Sequence, residues 1–262
     1  MTGLNVKDKV VVITGGCGDI GAATAAKLAG GGAEVVLLDL PQEAEGEERG
    51  RALGAAAYYR CDQGDRETIE RVLQDVHNRF GRLDVVIANA AVVHRIPIAA
   101  IPPDVWDQYL RVNLSGCFFL AQAAIRLMTA QPLDAAGVRG KVLFTSSWTA
   151  QHPLPGNLPY VVTKAAVEAM TRAMAQELAS TGIRVNAMAP GILYAGLTRK
   201  LCEQTPGLRE KLTDLVPLGE LGTAEQVGDA FAFLCSDGSN YMTGQVLTVD
   251  GGCSVIKREL PT

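Results

Sequence analysis

Little in this sequence points to a nucleic-acid partner, a secreted scaffold or a metal. There is no Lys/Arg-rich run, and the net charge is −4 at pH 7 with a pI of about 5.5. The positive footprint that engages a phosphate backbone is therefore missing. Residues Met1 to Asp8 lack the apolar stretch of a signal peptide. No uninterrupted apolar run approaches the ~18 residues that span a bilayer. Six cysteines stand at 17, 61, 117, 202, 235 and 253, with no C-x-x-C pair and no zinc-module spacing. They read as isolated thiols in a reducing compartment. His77, His94 and His152 have no carboxylate or cysteine at ligand spacing. The expectations are a cytoplasmic location, no metal, and neither nucleic acid nor membrane as a partner.

What the chain has is apolar material in short runs. Hydrophobic residues make up 48% of its 262 residues and charged residues 20%, enough for a sizeable core. Val/Ile/Leu-rich runs recur at Lys9–Thr14, Glu34–Asp39, Ala56–Asp62, Asp84–Asn89, Lys141–Ser147, Arg184–Ala189 and Gln245–Asp250. They are near-continuous rather than alternating, as in strands buried on both faces of a parallel sheet. Helical stretches lie between them at Gly21–Ala29, Glu43–Leu53, Arg66–Phe80, Pro103–Ala130, Tyr160–Ser180 and Thr223–Leu234. Thr223-Ala224-Glu225-Gln226 has the form of a capping box. The pattern predicts an α/β fold: one Rossmann-type, doubly wound domain over residues 1–262, with a seven-stranded, mainly parallel sheet flanked by helices. Residues 192–215 interrupt the rhythm and read as a substrate-binding loop or lid.

The first strand runs into Thr14-Gly15-Gly16-Cys17-Gly18-Asp19-Ile20-Gly21 and then a helix. Glycines permit a tight turn and close approach to a ligand. A helix N-terminus offers free N–H groups and partial positive charge to a pyrophosphate. Asp39 ends the second strand, 18 residues beyond Gly21. A carboxylate there accepts hydrogen bonds from ribose hydroxyls and repels a 2′-phosphate. No Arg or Lys stands at Gly16, Cys17 or Leu40, so NAD is favoured over NADP. Cys61 and Asp62, ending the third strand, would meet the adenine edge. Asn89, Ala90 and Ala91, ending the fourth, leave room for a flat cofactor.

A second constellation is Tyr160-Val161-Val162-Thr163-Lys164. On a helix, positions i and i+4 share a face. A nearby ammonium favours a phenolate, which predicts a phenol pKa lowered from ~10 towards neutrality and a usable general acid/base. Ser147 ends a strand 13 residues earlier, with a loop long enough to bring both hydroxyls to one carbonyl.

These pieces, with Asn113, Asn186-Ala187, Pro190-Gly191 and the tail Tyr241–Gly252, resemble the single-domain branch of the short-chain dehydrogenase/reductase family over nearly the whole chain. The resemblance implies a tetrad of Asn113, Ser147, Tyr160 and Lys164. In it Asn113 holds a water in a proton relay and Lys164 also bonds the nicotinamide ribose. It implies a nicotinamide site lined by Pro190, Gly191 and Leu193, and a homotetramer. The implied reaction is hydride transfer between a secondary alcohol and a ketone. Three positions depart from the family pattern. Asp19 replaces a glycine and is expected to point to solvent; Ala91 replaces a glycine; Ala195 replaces a threonine, for which Thr198 is a substitute.

Trp148, His152 and Tyr194, beside Ser147 and Tyr160, are the expected substrate contacts. With Val92, Val93, Leu154 and Leu158 they predict an apolar cleft suited to an aromatic, medium-length apolar or steroid-like alcohol or ketone, and less to a highly charged sugar acid. The alternatives are an NADPH-dependent 3-oxoacyl carrier-protein reductase and a dinucleotide-binding protein without turnover.

Overall fold

The computed structural model describes residues 5–255. Seven strands form one sheet: β1 (Val10–Thr14), β2 (Glu34–Asp39), β3 (Ala57–Arg60), β4 (Val85–Ala88), β5 (Gly140–Thr145), β6 (Ile183–Pro190) and β7 (Val246–Val249). Their order is β3-β2-β1-β4-β5-β6-β7, and every neighbouring pair is parallel. The direction of winding reverses between β1 and β4, which opens a crevice at the carboxyl ends of these two strands.

The near-continuous apolar runs are explained by burial on two sides. Val10 and Val12 of β1 join one core layer with Val36, Leu38, Val86 and Phe144. Val11 and Ile13 join the other with Val35, Leu37, Ile87 and Leu143. Successive side chains of a strand point to opposite faces, so both parities must be apolar when both faces are covered.

Helices α1 (Asp19–Gly30), α2 (Glu43–Ala52), α3 (Arg66–Phe80), α4 (Pro103–Tyr109), α5 (Gly116–Ala130), α6 (Leu158–Leu178), α7 (Gly196–Gln204), α8 (Leu208–Thr213) and α9 (Ala224–Cys235) supply the covering layers. Leu28 of α1 and Val227, Phe231 and Leu234 of α9 pack in the second layer. Leu73 of α3, Leu120 of α5 and Val167 of α6 pack in the first. Each such side chain, fully buried, contributes roughly 1.5–3 kcal/mol. The capping box forms as its sequence predicts: Thr223 accepts from the Gln226 amide, and the Gln226 side chain accepts from the Thr223 amide.

The helix predicted over Pro103–Ala130 is not uniform. Leu110–Ser115 takes a π-helical turn between α4 and α5. A π turn inserts one extra residue per turn and rotates the side chains that follow it. By length and composition this stretch is apolar enough to cross a bilayer, with a mean hydropathy of 1.2. Here it packs on the sheet, with Cys117, Leu120, Ala121, Ala124 and Met128 buried.

Candidate active site

Because all strands are parallel, Thr14, Asp39, Ala88, Thr145 and Pro190 end at the same edge of the sheet. A single cleft of about 680 Å³ runs along that edge. One end is the glycine turn. Gly15 takes a φ of +64°, and a Cβ there would stand 2.9 Å from Ala90 Cα. A Cβ on Gly21, which sits beneath the turn, would collide with the Gly15 carbonyl. Gly18 caps α1 without any side-chain bond, so the first amides of the helix keep their donors for a ligand. Cys17, Gly18 and Ile20 line the cleft beside them.

Asp19 does not point freely to solvent as expected. Its carboxylate accepts the Gly196 amide at 2.6 Å and pairs with Arg199 at 3.1 Å. The cause is the segment predicted as a lid: its helix α7 starts close enough to α1 to offer an amide and a guanidinium, and both satisfy the carboxylate. The glycine turn and the start of α7 are thus tied together.

Asp39 faces the same end. One oxygen accepts the Cys17 amide and the other the Leu40 amide, each at 2.8 Å. Arg49 of α2 also lines this end, with its guanidinium 2.6 Å from Glu45; it is a cation that positions 16, 17 and 40 do not reveal. Asp62 accepts the Gly64 amide at 2.8 Å and pairs with Arg111 at 2.9 Å, and Cys61 lies beside it on the cleft wall. Gln63 is almost wholly buried, which the sequence did not signal. It takes the Thr14 hydroxyl at 2.5 Å and donates to the carbonyls of Ala90 and Val112, both at 2.9 Å. Asn89 in turn donates to the Thr14 carbonyl at 3.0 Å. The ends of β1 and β4, with Ala90, are therefore fixed by one polar knot, and Ala91 follows on the cleft wall.

At the other end, Ser147, Tyr160 and Lys164 come together. Thr145 and Ser147 follow from β5, and Tyr160 and Lys164 lie one turn apart on α6. Lys164 Nζ donates to the Thr145 carbonyl at 2.6 Å and lies 5.4 Å from the centre of the Tyr160 ring. The Ser147 hydroxyl is 2.8 Å from that of Thr149. Asn113 stands behind them on the π turn, fully buried. Its amide is spent on Val92, accepting from N–H at 2.8 Å and donating to C=O at 2.9 Å. It therefore braces the wall that carries Val92 and Val93.

Pro190, Gly191 and Leu193 line the cleft after β6. A Cβ on Gly191 would meet the backbone of Asp250, so the tail of the chain packs directly beneath this segment. Ala195, Leu197, Thr198 and Leu201 from the 192–215 segment face the cleft too. Of the expected substrate contacts, Trp148 lines it, but His152 and Tyr194 do not. The His152 ring stacks on Trp148 with centroids 6.2 Å apart, and the Arg209 guanidinium lies 4.5 Å from the Tyr194 ring centre. Leu158 faces a neighbouring apolar groove instead. Among the described residues, no group of three His, Cys, Asp or Glu could hold a metal ion.

Comparison with known proteins places this arrangement. A family model described as enoyl-(acyl carrier protein) reductase matches residues 17–254. The chain is 35% identical to the 3-oxoacyl-(acyl-carrier-protein) reductase FabG of Thermotoga maritima, covering 95% of this chain and 99% of that protein. It is 36% identical to short-chain dehydrogenase reductase 5 of Arabidopsis thaliana, covering 98% of each. It is 33% identical to an L-2,3-butanediol dehydrogenase of Corynebacterium glutamicum, covering 93% and 98%. The chain belongs to the short-chain dehydrogenase/reductase family.

In this dehydrogenase/reductase the charge states run against the sequence expectation. Burial pushes the Tyr160 phenol up to about 12, and the nearby Ser147 hydroxyl pulls only weakly the other way. Burial also lowers Lys164. Taking either group out of water disfavours its charged form. The Lys164 ammonium is turned to the Thr145 carbonyl and lies against the ring rather than at its hydroxyl, so it does not overcome that effect. Tyr160 is accordingly a neutral, protonated acid in the protein by itself.

Proposed function

We propose that this oxidoreductase interconverts a secondary alcohol and a ketone using NAD(H), with Tyr160 as the group that moves the proton. The observation that carries this reading is continuity. The Tyr160 and Ser147 hydroxyls line the same cleft as the glycine turn and Asp39, so one long ligand can reach from phosphate cradle to acid. The residues fit a dinucleotide. The Gly15 and Gly21 positions admit no side chain, the α1 amides are uncapped, and Asp39 presents a carboxylate at the end of β2. Leu40, Cys61 and Asp62 would hold the adenosine end, and Pro190, Gly191, Leu193 and Lys164 the nicotinamide end.

A dinucleotide held there supplies or takes up the hydride. The chain does the rest. In reduction, the Tyr160 hydroxyl donates its proton to the carbonyl oxygen while the Ser147 hydroxyl hydrogen-bonds the same oxygen. In oxidation, Tyr160 must first lose its proton, and the Lys164 ammonium stabilises the phenolate. Asn113, its amide already spent on Val92, holds the wall, and the Lys164 ammonium stands beside Tyr160 to ease the return of its proton from solvent. Val92, Val93, Trp148 and Leu154 exclude bulk water around the reacting carbon.

The residues 192–215 close over the substrate end, and the whole chain, 1–262, acts as one catalytic unit. We further infer a homotetramer in the cytoplasm. Phe118 of α5 and Leu158 and Val162 of α6 leave apolar surface exposed, which a partner copy would cover.

One observation favours a second cofactor. Arg49 borders the Asp39 end of the cleft and could meet a 2′-phosphate, and the FabG relative is by name a 3-oxoacyl-(acyl-carrier-protein) reductase. Steady-state reduction of a panel of ketones with NADH and NADPH separates the two. The Asp39 carboxylate should favour NADH in kcat/KM by at least about tenfold. Preference for NADPH would contradict the NAD assignment, and no turnover with either would contradict the reading as a whole.

A further inference from the structure

The cleft wall contains one polar group that nothing in the protein explains. Asn157 is 7% exposed and lines the cleft. Its side-chain oxygen is buried without a hydrogen-bond partner. It occupies the cap position of α6, where an asparagine ordinarily accepts a bond from the first turn, yet it makes no side-chain cap bond. Turning the amide over would only exchange a buried acceptor for a buried donor. An orphaned buried polar group costs roughly 1–3 kcal/mol. A fold bears that where a ligand supplies the partner.

Position gives the partner's place. Asn157 precedes Tyr160 by three residues, and positions three apart lie side by side on a helix surface, about 5–6 Å between Cβ atoms. A substrate oxygen held by Tyr160 therefore leaves a second oxygen within reach of Asn157, on the next carbon or the one beyond. Trp148, Leu154 and Val93 of the same wall are apolar, Arg95 on that wall is exposed to solvent, and Asn157 is itself a neutral amide, so the second group is an uncharged hydroxyl or carbonyl.

We propose that Asn157 is a specificity residue that hydrogen-bonds a second, uncharged oxygen of the substrate, which makes diols and hydroxy-ketones preferred over simple alcohols. This rests on the alcohol–ketone reading above. A site built to pair with a substrate hydroxyl rejects the analogue lacking it, because its own polar group is then left unpaired.

The test compares matched pairs, 1-phenylethane-1,2-diol with 1-phenylethanol and butane-2,3-diol with butan-2-ol, in the wild type, Asn157→Ala and the isosteric Asn157→Leu. The wild type should favour the diol by about 10- to 100-fold in kcat/KM. In both variants that ratio should collapse towards one, mainly through KM for the diol. Wild-type turnover of the simple alcohols with no preference for the diols, or a ratio unchanged in the variants, overturns the Asn157 assignment alone. Turnover of no member of either pair with either dinucleotide overturns the alcohol–ketone reading with it.

Discussion

Asp19 puts a carboxylate at the first turn of α1, where a phosphate-binding helix gains from having no negative charge of its own. The side chain is tolerable because Arg199 and the Gly196 amide neutralise it. If a pyrophosphate sits at that helix end, removing Arg199 leaves two negative groups facing each other. The pair is partly exposed, so its worth is at most about 1 kcal/mol. Arg199→Ala should raise the dinucleotide dissociation constant by roughly fivefold. The double variant Asp19→Gly/Arg199→Ala should recover most of that loss. Fluorescence titration with NADH reads both.

Residue-level roles are legible in the sequence where spacing within one short segment carries them. The glycine turn, Asp39, Tyr160 and Lys164 all belong to that class. Gln63, Arg111, Arg199 and Asn157 are not legible. Each acts through a partner distant along the chain or through the lack of one: Gln63 bonds Thr14 across 49 positions, and Arg199 meets Asp19 across 180. The direction of the Tyr160 pKa is not legible for a related reason. Spacing reports that a cation is near, but not that desolvation dominates at the phenol and that the ammonium faces another acceptor.

At the scale of elements, local signals decide which boundaries can be read. Helix α3 is legible to the residue because Asp65 caps its start by accepting the Thr68 amide, and Gly81 ends it in the left-handed region. The break in the Pro103–Ala130 stretch is not, because apolar periodicity does not distinguish a π turn from the α-helix around it. Helix α9 packs against α1 and so supports the glycine turn from behind. Its capping box is exposed, so Thr223→Ala should cost about 1 kcal/mol. A lowered urea midpoint with an unchanged m-value checks this; an unchanged midpoint would mean that the box contributes nothing.

Over the whole molecule, buried thiols set the alkaline limit. Burial raises Cys61 and Cys235 to about 12 and Cys117 to about 11 from an ordinary 9.0. Above pH 9 the unfolded chain gives up these protons while the folded chain keeps them. Stability present below pH 9 is therefore lost as pH rises towards 11–12. Lys141 opposes this. Burial lowers it to about 8 from 10.5, so the unfolded chain binds its proton longer and stability rises between those values. Three thiols outweigh one amine above pH 9, so Tm should fall from pH 9 to 10.5. Cys235→Ala should make the fall shallower, whatever it does to Tm at neutral pH. A Tm rising through that window would show that the thiols are not buried as described.

The proposed reaction rests on the Tyr160 hydroxyl, which lines the cleft. Ketone reduction by Tyr160→Phe, measured alongside NADH binding to the same variant, tests it most directly. Loss of a positioned general acid typically costs about 10²–10⁴-fold. Turnover should fall by that order while NADH affinity stays close to wild type, because the Phe variant keeps the ring, the glycine turn and Asp39. Turnover at the wild-type rate would contradict the assignment of Tyr160 as the proton-moving group.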